Sequence, residues 1–301
     1  MRRHQKIRWL ISGGLGVVRA GLYVACFVGG QIVMGMLMGL LVSIQMMMIF
    51  GEVDQTIFMQ AITRLSGEIS LLGGLLTLLS VSVFFWIQGK SPLEQAQVRS
   101  TGKQHYLPAI VLAMLLYLAI CLIFLLLPAS WLDSYAQAVQ GVNQTGFAMF
   151  IAIVLVAPVV EEVIFRGLVL SRLNQVMPTW LALVLSALTF GVLHGHPVWM
   201  AYASVMGLVF GLVSIRTGSI LPALVMHMVF NGIQYLNTLF SGSVVYPGVQ
   251  IVFVLVSCGA GLLCRHRVAS LLRWQDLSHY HPRTNGGQVV WDADSGADHR
   301  F

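Results

Sequence analysis

Charged side chains are the scarcest component of this chain. Asp, Glu, Lys and Arg make up 9% of its 301 residues, against about 25% in soluble domains. That excludes an ordinary soluble globule. Only 11 residues are acidic, and the stretches 20–51, 107–132 and 134–160 hold no Asp, Glu, Lys, Arg or His. Cysteine is also sparse. Cys26, Cys121, Cys258 and Cys264 show no CxxC spacing, so they read as small apolar packers rather than a disulfide framework or thiolate site. Cys264, at a helix end, is a candidate for acylation. There is no GxSxG, which leaves a serine nucleophile without its usual setting, and no HExxH of the common zinc proteases. No folded face joins basic to aromatic residues, which argues against a nucleic-acid partner. No repeat period stands out.

What is abundant is apolar sequence. The chain is 57% hydrophobic with a mean hydropathy of +0.82. A spanning helix needs about 20 mostly apolar residues, and lipid offers no partner to an unpaired backbone group. The alternating pattern of a barrel is absent. The expected fold is therefore all-α, a polytopic transmembrane bundle. Eight spans are expected, near 21–46, 69–87, 107–129, 147–171, 179–195, 199–215, 219–240 and 247–264. With Arg166 set aside as intramembrane, 15 of the remaining 16 Lys and Arg fall on one side of such a bundle, and only Arg64 does not. Basic loops stay in the cytoplasm, so both termini are expected there. The net charge of +6 then reports topology. The first apolar run is too long for a cleavable signal and is expected to stay as an anchor. The expected setting is a multi-pass protein of a bacterial inner membrane.

This divides the chain into a basic N-terminus (1–20), N-terminal transmembrane helices (21–140), a polar-bearing core (141–245), a last transmembrane helix (246–274) and a tail (275–301). The tail is polar and rich in Gly and Asp, so no regular structure is expected in it. Its His279, His281 and His299 lack ligand spacing. "TIFMQAITRL", in the longest outer loop, suits a short interfacial helix. Small residues at four-residue spacing, Gly35 and Gly39, then Ala203, Gly207 and Gly211, suit close helix packing. The methionines at 34, 36, 38 and 46–48 read as packing as well.

The polar residues inside expected spans that stand out as candidates are the charged and histidine side chains Glu161, Glu162, Arg166, His194 and His227, together with Asn231. Burying such groups in a bilayer costs several kcal/mol, so they are functional candidates by default. Positions i and i+4 share a helix face. Glu162 and Arg166 are such a pair and can neutralise each other, while Glu161 points about 100° away and is left to face a cleft. Pro158, one turn earlier, removes a backbone hydrogen bond and is expected to bend the helix. Phe190 with His194, and His227 with Asn231, repeat the spacing. At about 1.5 Å per residue, Glu161, His194 and His227 lie roughly 15–18, 20 and 10–12 Å from the basic side. These depths allow one shared site below the cytoplasmic surface.

A carboxylate among apolar walls suits a general base or acid, and a nearby histidine can share its proton. A second histidine and an amide can donate to an oxyanion. The set suits water attack on a carbonyl. A zinc site of Glu161, His194 and His227 with an open fourth position is equally drawable, so a divalent metal and no cofactor both stay open. Asn is an uncommon zinc ligand, which favours an oxyanion role for Asn231.

The motifs "EEVIFR", "FGVLH" and "HMVFN" stand in the order EExxxR, FxxxH, HxxxN within residues 145–240. In this the chain resembles the CPBP family of CAAX proteases and bacteriocin-processing enzymes, also called Abi. His196 is an extra histidine beside the second motif. The resemblance makes 141–245 a catalytic core and implies an intramembrane endopeptidase. It implies that Glu161 and His194 activate water, that His227 and Asn231 stabilise the oxyanion, and that Glu162, Arg166 and Phe190 support the site. The implied substrate is a membrane-associated peptide or prenylated protein. The alternatives are a non-catalytic scaffold or immunity protein of the same fold, and a transporter. The crowding of polar residues into one half argues against the transporter, since transporters tend to show inverted repeats.

Overall fold

The computed structural model describes residues 3–139, 146–241, 246–273, 280–285 and 288–293. It is a helical bundle. The helices are α1 (Arg3–Phe50), α2 (Gln55–Arg64), α3 (Ser66–Ile87), α4 (Pro92–Gln95), α5 (Tyr106–Phe124) and α6 (Ala129–Ala138). They continue as α7 (Phe147–Asn174), α8 (Thr179–Val192), α9 (Pro197–Thr217), α10 (Leu221–Phe240) and α11 (Tyr246–Leu271).

A helix falls at each of the eight expected spans, but they are not equivalent. Six, including most of α1 and all of α7 and α9, are long and apolar enough to cross a membrane. The chain is an integral, multi-pass membrane protein. α8 and α10 fall outside that set. α8 has 14 residues, about 21 Å of helix, and it ends before His194. Gly195 with φ +79° and Pro197 at the start of α9 stop it. α10 has the length but carries His227, Asn231, Gln234 and Asn237. The short helix expected in the 51–68 loop does form, as α2, capped by Asp54 Oδ1 accepting from Ile57 N at 2.9 Å.

The tail differs from its expectation too. Tyr280–Asn285 (β1) and Gln288–Ala293 (β2) pair as an antiparallel hairpin, Pro282 opposite Trp291 and Asn285 opposite Gln288. The run "QVVW" has the β-branched and aromatic residues that suit a strand. The remaining tail, with His279 and His299, lies outside the described residues.

Lipid chains are as apolar as leucine, so helix contacts in a membrane depend on close packing and hydrogen bonds. Gly207 supplies such a contact: a Cβ there would lie 2.9 Å from Ala187 Cα, which is what lets α8 and α9 run together. Two apolar clusters result. One joins α1, α3, α7, α8 and part of α9 around Phe165 and Phe190. The other joins α5, α9, α10 and α11 around Phe210 and Phe230. α7 and α10 meet at the seam between them.

Candidate active site

α7 is not a uniform helix. It is α-helical at Phe147–Phe150, Ala157–Glu161 and Ser171–Asn174, with wider π turns at Ile151–Val156 and Glu162–Leu170. Wide turns often mark functional positions in helices. In the i→i+5 register the carbonyl of Ile153 would look to residue 158, which is proline and has no N–H. The Asn231 amide supplies the missing donor, with Nδ2 to Ile153 O at 3.0 Å. In the second wide turn Ser186 Oγ donates to Phe165 O at 2.9 Å. Side chains from α10 and α8 thus complete the backbone of α7, a requirement lipid would leave unmet. Pro158 acts by making a carbonyl available to α10.

The short α-helical segment between these turns carries the two glutamates to different places. Glu162 is fully enclosed and Glu161 keeps 17% of its side chain exposed. Glu162 Oε1 lies 3.0 Å from Arg166 Nη1. Arg166 is itself buried, its guanidinium 4.3 Å from the Phe190 ring centre and 5.3 Å from that of Phe210. Aromatic faces attract a cation most where water is excluded. Glu162 Oε1 also accepts from His227 Nδ1 at 2.9 Å. This fixes the ring so that Nε2 turns toward Glu161 Oε2, 3.6 Å away. Two carboxylates, one guanidinium and one imidazole form a connected set inside the bundle.

His194 is held differently. Its Nδ1 donates to Phe190 O at 2.9 Å, the i−4 carbonyl that α8 leaves free at its end. Trp199 lies against its ring with centres 5.0 Å apart. An Nδ1–H spent on a carbonyl leaves Nε2 as an acceptor. Glu161, His194, His227 and Asn231 all line one cavity of about 310 Å³. The structure brings these four side chains to one cavity.

Among the described residues no group of three or more His, Cys, Asp and Glu side chains is placed to hold a metal. Glu161, His194 and His227 share the cavity without forming such a set.

The cavity does not run toward the basic ends of the helices. Along α10 its lining passes from His227 to Gln234, Tyr235 and Thr238, and along α7 from Phe165 back to Ile153. Helix rise alone gave each residue's depth but not the direction in which the space between helices widens.

Several contributors were not legible in sequence. Phe210, Trp199, Tyr202, Tyr235 and Ser186 sit in apolar helices where nothing separates a site aromatic from a lipid-facing one. His196 caps α9, its Nδ1 accepting from Val198 N at 3.3 Å, and its Nε2 meets Ser134 Oγ at 3.1 Å. It does not line the cavity.

The comparisons bear on this same region. Residues 143–233 match the family model described as Rce1-like, type II CAAX prenyl endopeptidase. The Bacillus subtilis (strain 168) protein named "Putative membrane peptidase YdiL" is 28% identical over 95 residues, which are 32% of this chain. The matched stretch covers 39% of that relative, so this chain spans about two fifths of its length. No solved structure matches. The segment carrying Glu161, Glu162, Arg166, His194, His227 and Asn231 is therefore similar, as a unit, to membrane endopeptidases of the CPBP type.

Proposed function

We propose that this chain is an intramembrane endopeptidase that cleaves peptide bonds with a water activated by Glu161 and His194. The observation that carries the proposal is the division of the adjacent glutamates. Glu162 is consumed by Arg166 and His227, and Glu161 faces the cavity beside two imidazoles, its nearest approach being 3.6 Å to His227 Nε2.

The chemistry follows from which nitrogens are already engaged. His194 Nε2 and the Glu161 carboxylate are both acceptors facing the cavity, so a water between them gives one hydrogen to each. As the water oxygen attacks the peptide carbonyl carbon, Glu161 takes its proton. The C–N bond then breaks and the proton passes from Glu161 to the leaving nitrogen. Charge develops on the carbonyl oxygen in between. His227 keeps Nδ1–H on Glu162 and turns Nε2 into the cavity beside Glu161, where a proton carried on Nε2 is the one donated to that carbonyl oxygen. The second amide hydrogen of Asn231 is available beside it, since the first is held by Ile153. Donors fixed in a dry site stabilise such charge strongly because they need no reorganisation. Arg166 and Phe190 hold the donor ring's anchor in place.

The reading is tested with purified protein in detergent and a quenched decapeptide library. Wild type is expected to release fluorescence, and Glu161→Gln to lower turnover by about 10²–10⁴-fold, the range for losing a general base. Unchanged turnover in Glu161→Gln at matched folding would overturn the assignment. Cleavage by neither protein would favour a non-catalytic scaffold.

A further inference from the structure

The cavity has a closed end and an open end, and the closed end is the basic one. We propose that the site takes its substrate from the non-cytoplasmic face, as a short internal stretch of peptide next to the membrane in an exported or membrane-anchored protein. This rests on the peptidase reading above and adds the side of access.

The basic ends of the helices are tied into one surface. Arg172 Nη2 donates to Gln95 Oε1 at 2.6 Å, Ser219 Oγ to Arg99 O at 2.7 Å, and Ile220 N to Gln97 O at 3.2 Å. Arg216 bonds the carbonyl of Arg273. The segment around α4 inserts between the helices here, with Gln95, Ala96 and Gln97 all buried. Its backbone presses on the helix that bears the glutamates: a Cβ built on Gly167 would lie 2.5 Å from Ala96 O. Below this plug come Phe165, Phe190 and Phe210, each at most 1% exposed. A peptide arriving from the basic side meets packed backbone.

The other direction is open. In α10 the lining residues change from buried His227 and Phe230 to half-buried Asn231, Gln234, Tyr235 and Thr238. Thr238 lies 11 residues beyond His227, about 16 Å of helix. Trp199 and Tyr202 of α9 form the opposite wall, braced by α6 through Tyr135 Oη and Tyr202 Oη at 3.0 Å. Tyr235 Oη accepts from Gly146 N at 3.0 Å, at the end of α7 remote from Arg172. The rim is thus amide, hydroxyl and aromatic groups at the end of the bundle lacking the basic clusters.

Two properties select the substrate. Lys- and Arg-rich ends stay in the cytoplasm, so the open end faces the other side. Among the described residues no Lys or Arg lines the cavity, so a free C-terminal carboxylate would find no fixed cation there, and an internal bond fits better. A volume of about 310 Å³ is at the low end for ligand pockets. It suits a few extended residues and excludes a folded domain.

The test uses a cysteine-free background and single Thr238→Cys, Gln234→Cys and Lys103→Cys variants in oriented bacterial inner-membrane vesicles. Labelling is by a charged, impermeant maleimide. The Thr238→Cys and Gln234→Cys proteins are expected to label in right-side-out vesicles and the Lys103→Cys protein only in inside-out ones. In parallel, wild-type vesicles receive a charged, impermeant quenched peptide library. Cleavage at least tenfold faster by right-side-out vesicles is expected, and both orientations become equal in detergent. Cleavage in detergent with activity confined to inside-out vesicles overturns the sidedness and leaves the peptidase reading intact. No cleavage in detergent overturns the peptidase reading, and the maleimide pattern still decides which face the cavity opens to. Labelling of the Lys103→Cys protein from outside, with Thr238→Cys and Gln234→Cys protected, overturns the proposed direction.

Discussion

His227 Nδ1 lies 2.9 Å from Glu162 Oε1, on the same oxygen that sits 3.0 Å from Arg166 Nη1. One carboxylate oxygen, with no solvent exposure, therefore anchors both the structural cation of α7 and the site histidine of α10. Stability and chemistry share an atom, and substitutions can separate them.

Removing Arg166 leaves Glu162 buried without its cation. Arg166→Ala is expected to cost about 3–5 kcal/mol, the range for breaking a buried pair. A Glu162→Leu/Arg166→Met double variant is expected to recover much of that stability and remain inactive, because His227 then has no anchor. Thermal unfolding in detergent, read beside peptide cleavage, checks both parts. Single and double variants of equal stability would contradict the pairing.

His227 uses its two nitrogens for different purposes. An asparagine amide at 227 can mimic Nδ1 and still donate to Glu162, but it has nothing in place of Nε2. His227→Asn is expected to keep the thermal midpoint within a few degrees and to lower turnover about 10²–10³-fold, the scale of one lost oxyanion donor. Substantial activity in this variant would remove Nε2 from the mechanism.

The Asn231 amide serves the backbone as well as the cavity. Asn231→Leu leaves Ile153 O without a donor, at a cost of about 1–3 kcal/mol for an unsatisfied buried group. Pro158→Ala restores an N–H to α7 and is expected to recover stability in the Asn231→Leu background without restoring turnover. If Pro158→Ala has no effect on the stability of that variant, the proline and the amide are not linked.

Metal removal separates the two forms of water activation. With no three-donor cluster among the described residues, turnover is expected to be unchanged after prolonged dialysis against chelator. Metal content by mass spectrometry and activity are measured on the same samples. Loss on dialysis, reversed by stoichiometric zinc, would restore the metal arrangement.

Much of this was fixed by local rules. A carboxylate pair in an uncharged run is costly enough in lipid to announce a site, and i, i+4 spacing alone joins Glu162 to Arg166 and turns Glu161 away. The apolar runs set the helices for the same reason: in lipid a backbone must satisfy itself. What sequence could not supply was anything depending on the space between helices. Phe210 and Trp199 are ordinary aromatics until α8 and α9 pack them against Arg166 and His194. Asn231 looks like a free amide until α7 widens and Pro158 withholds a hydrogen from Ile153. The end at which the cavity opens depended on where the α4 segment inserts, through a glycine contact between Gly167 and Ala96 separated by 71 positions in the chain. Periodicity reports which face of a helix a residue occupies. Only the tertiary structure decides what that face meets.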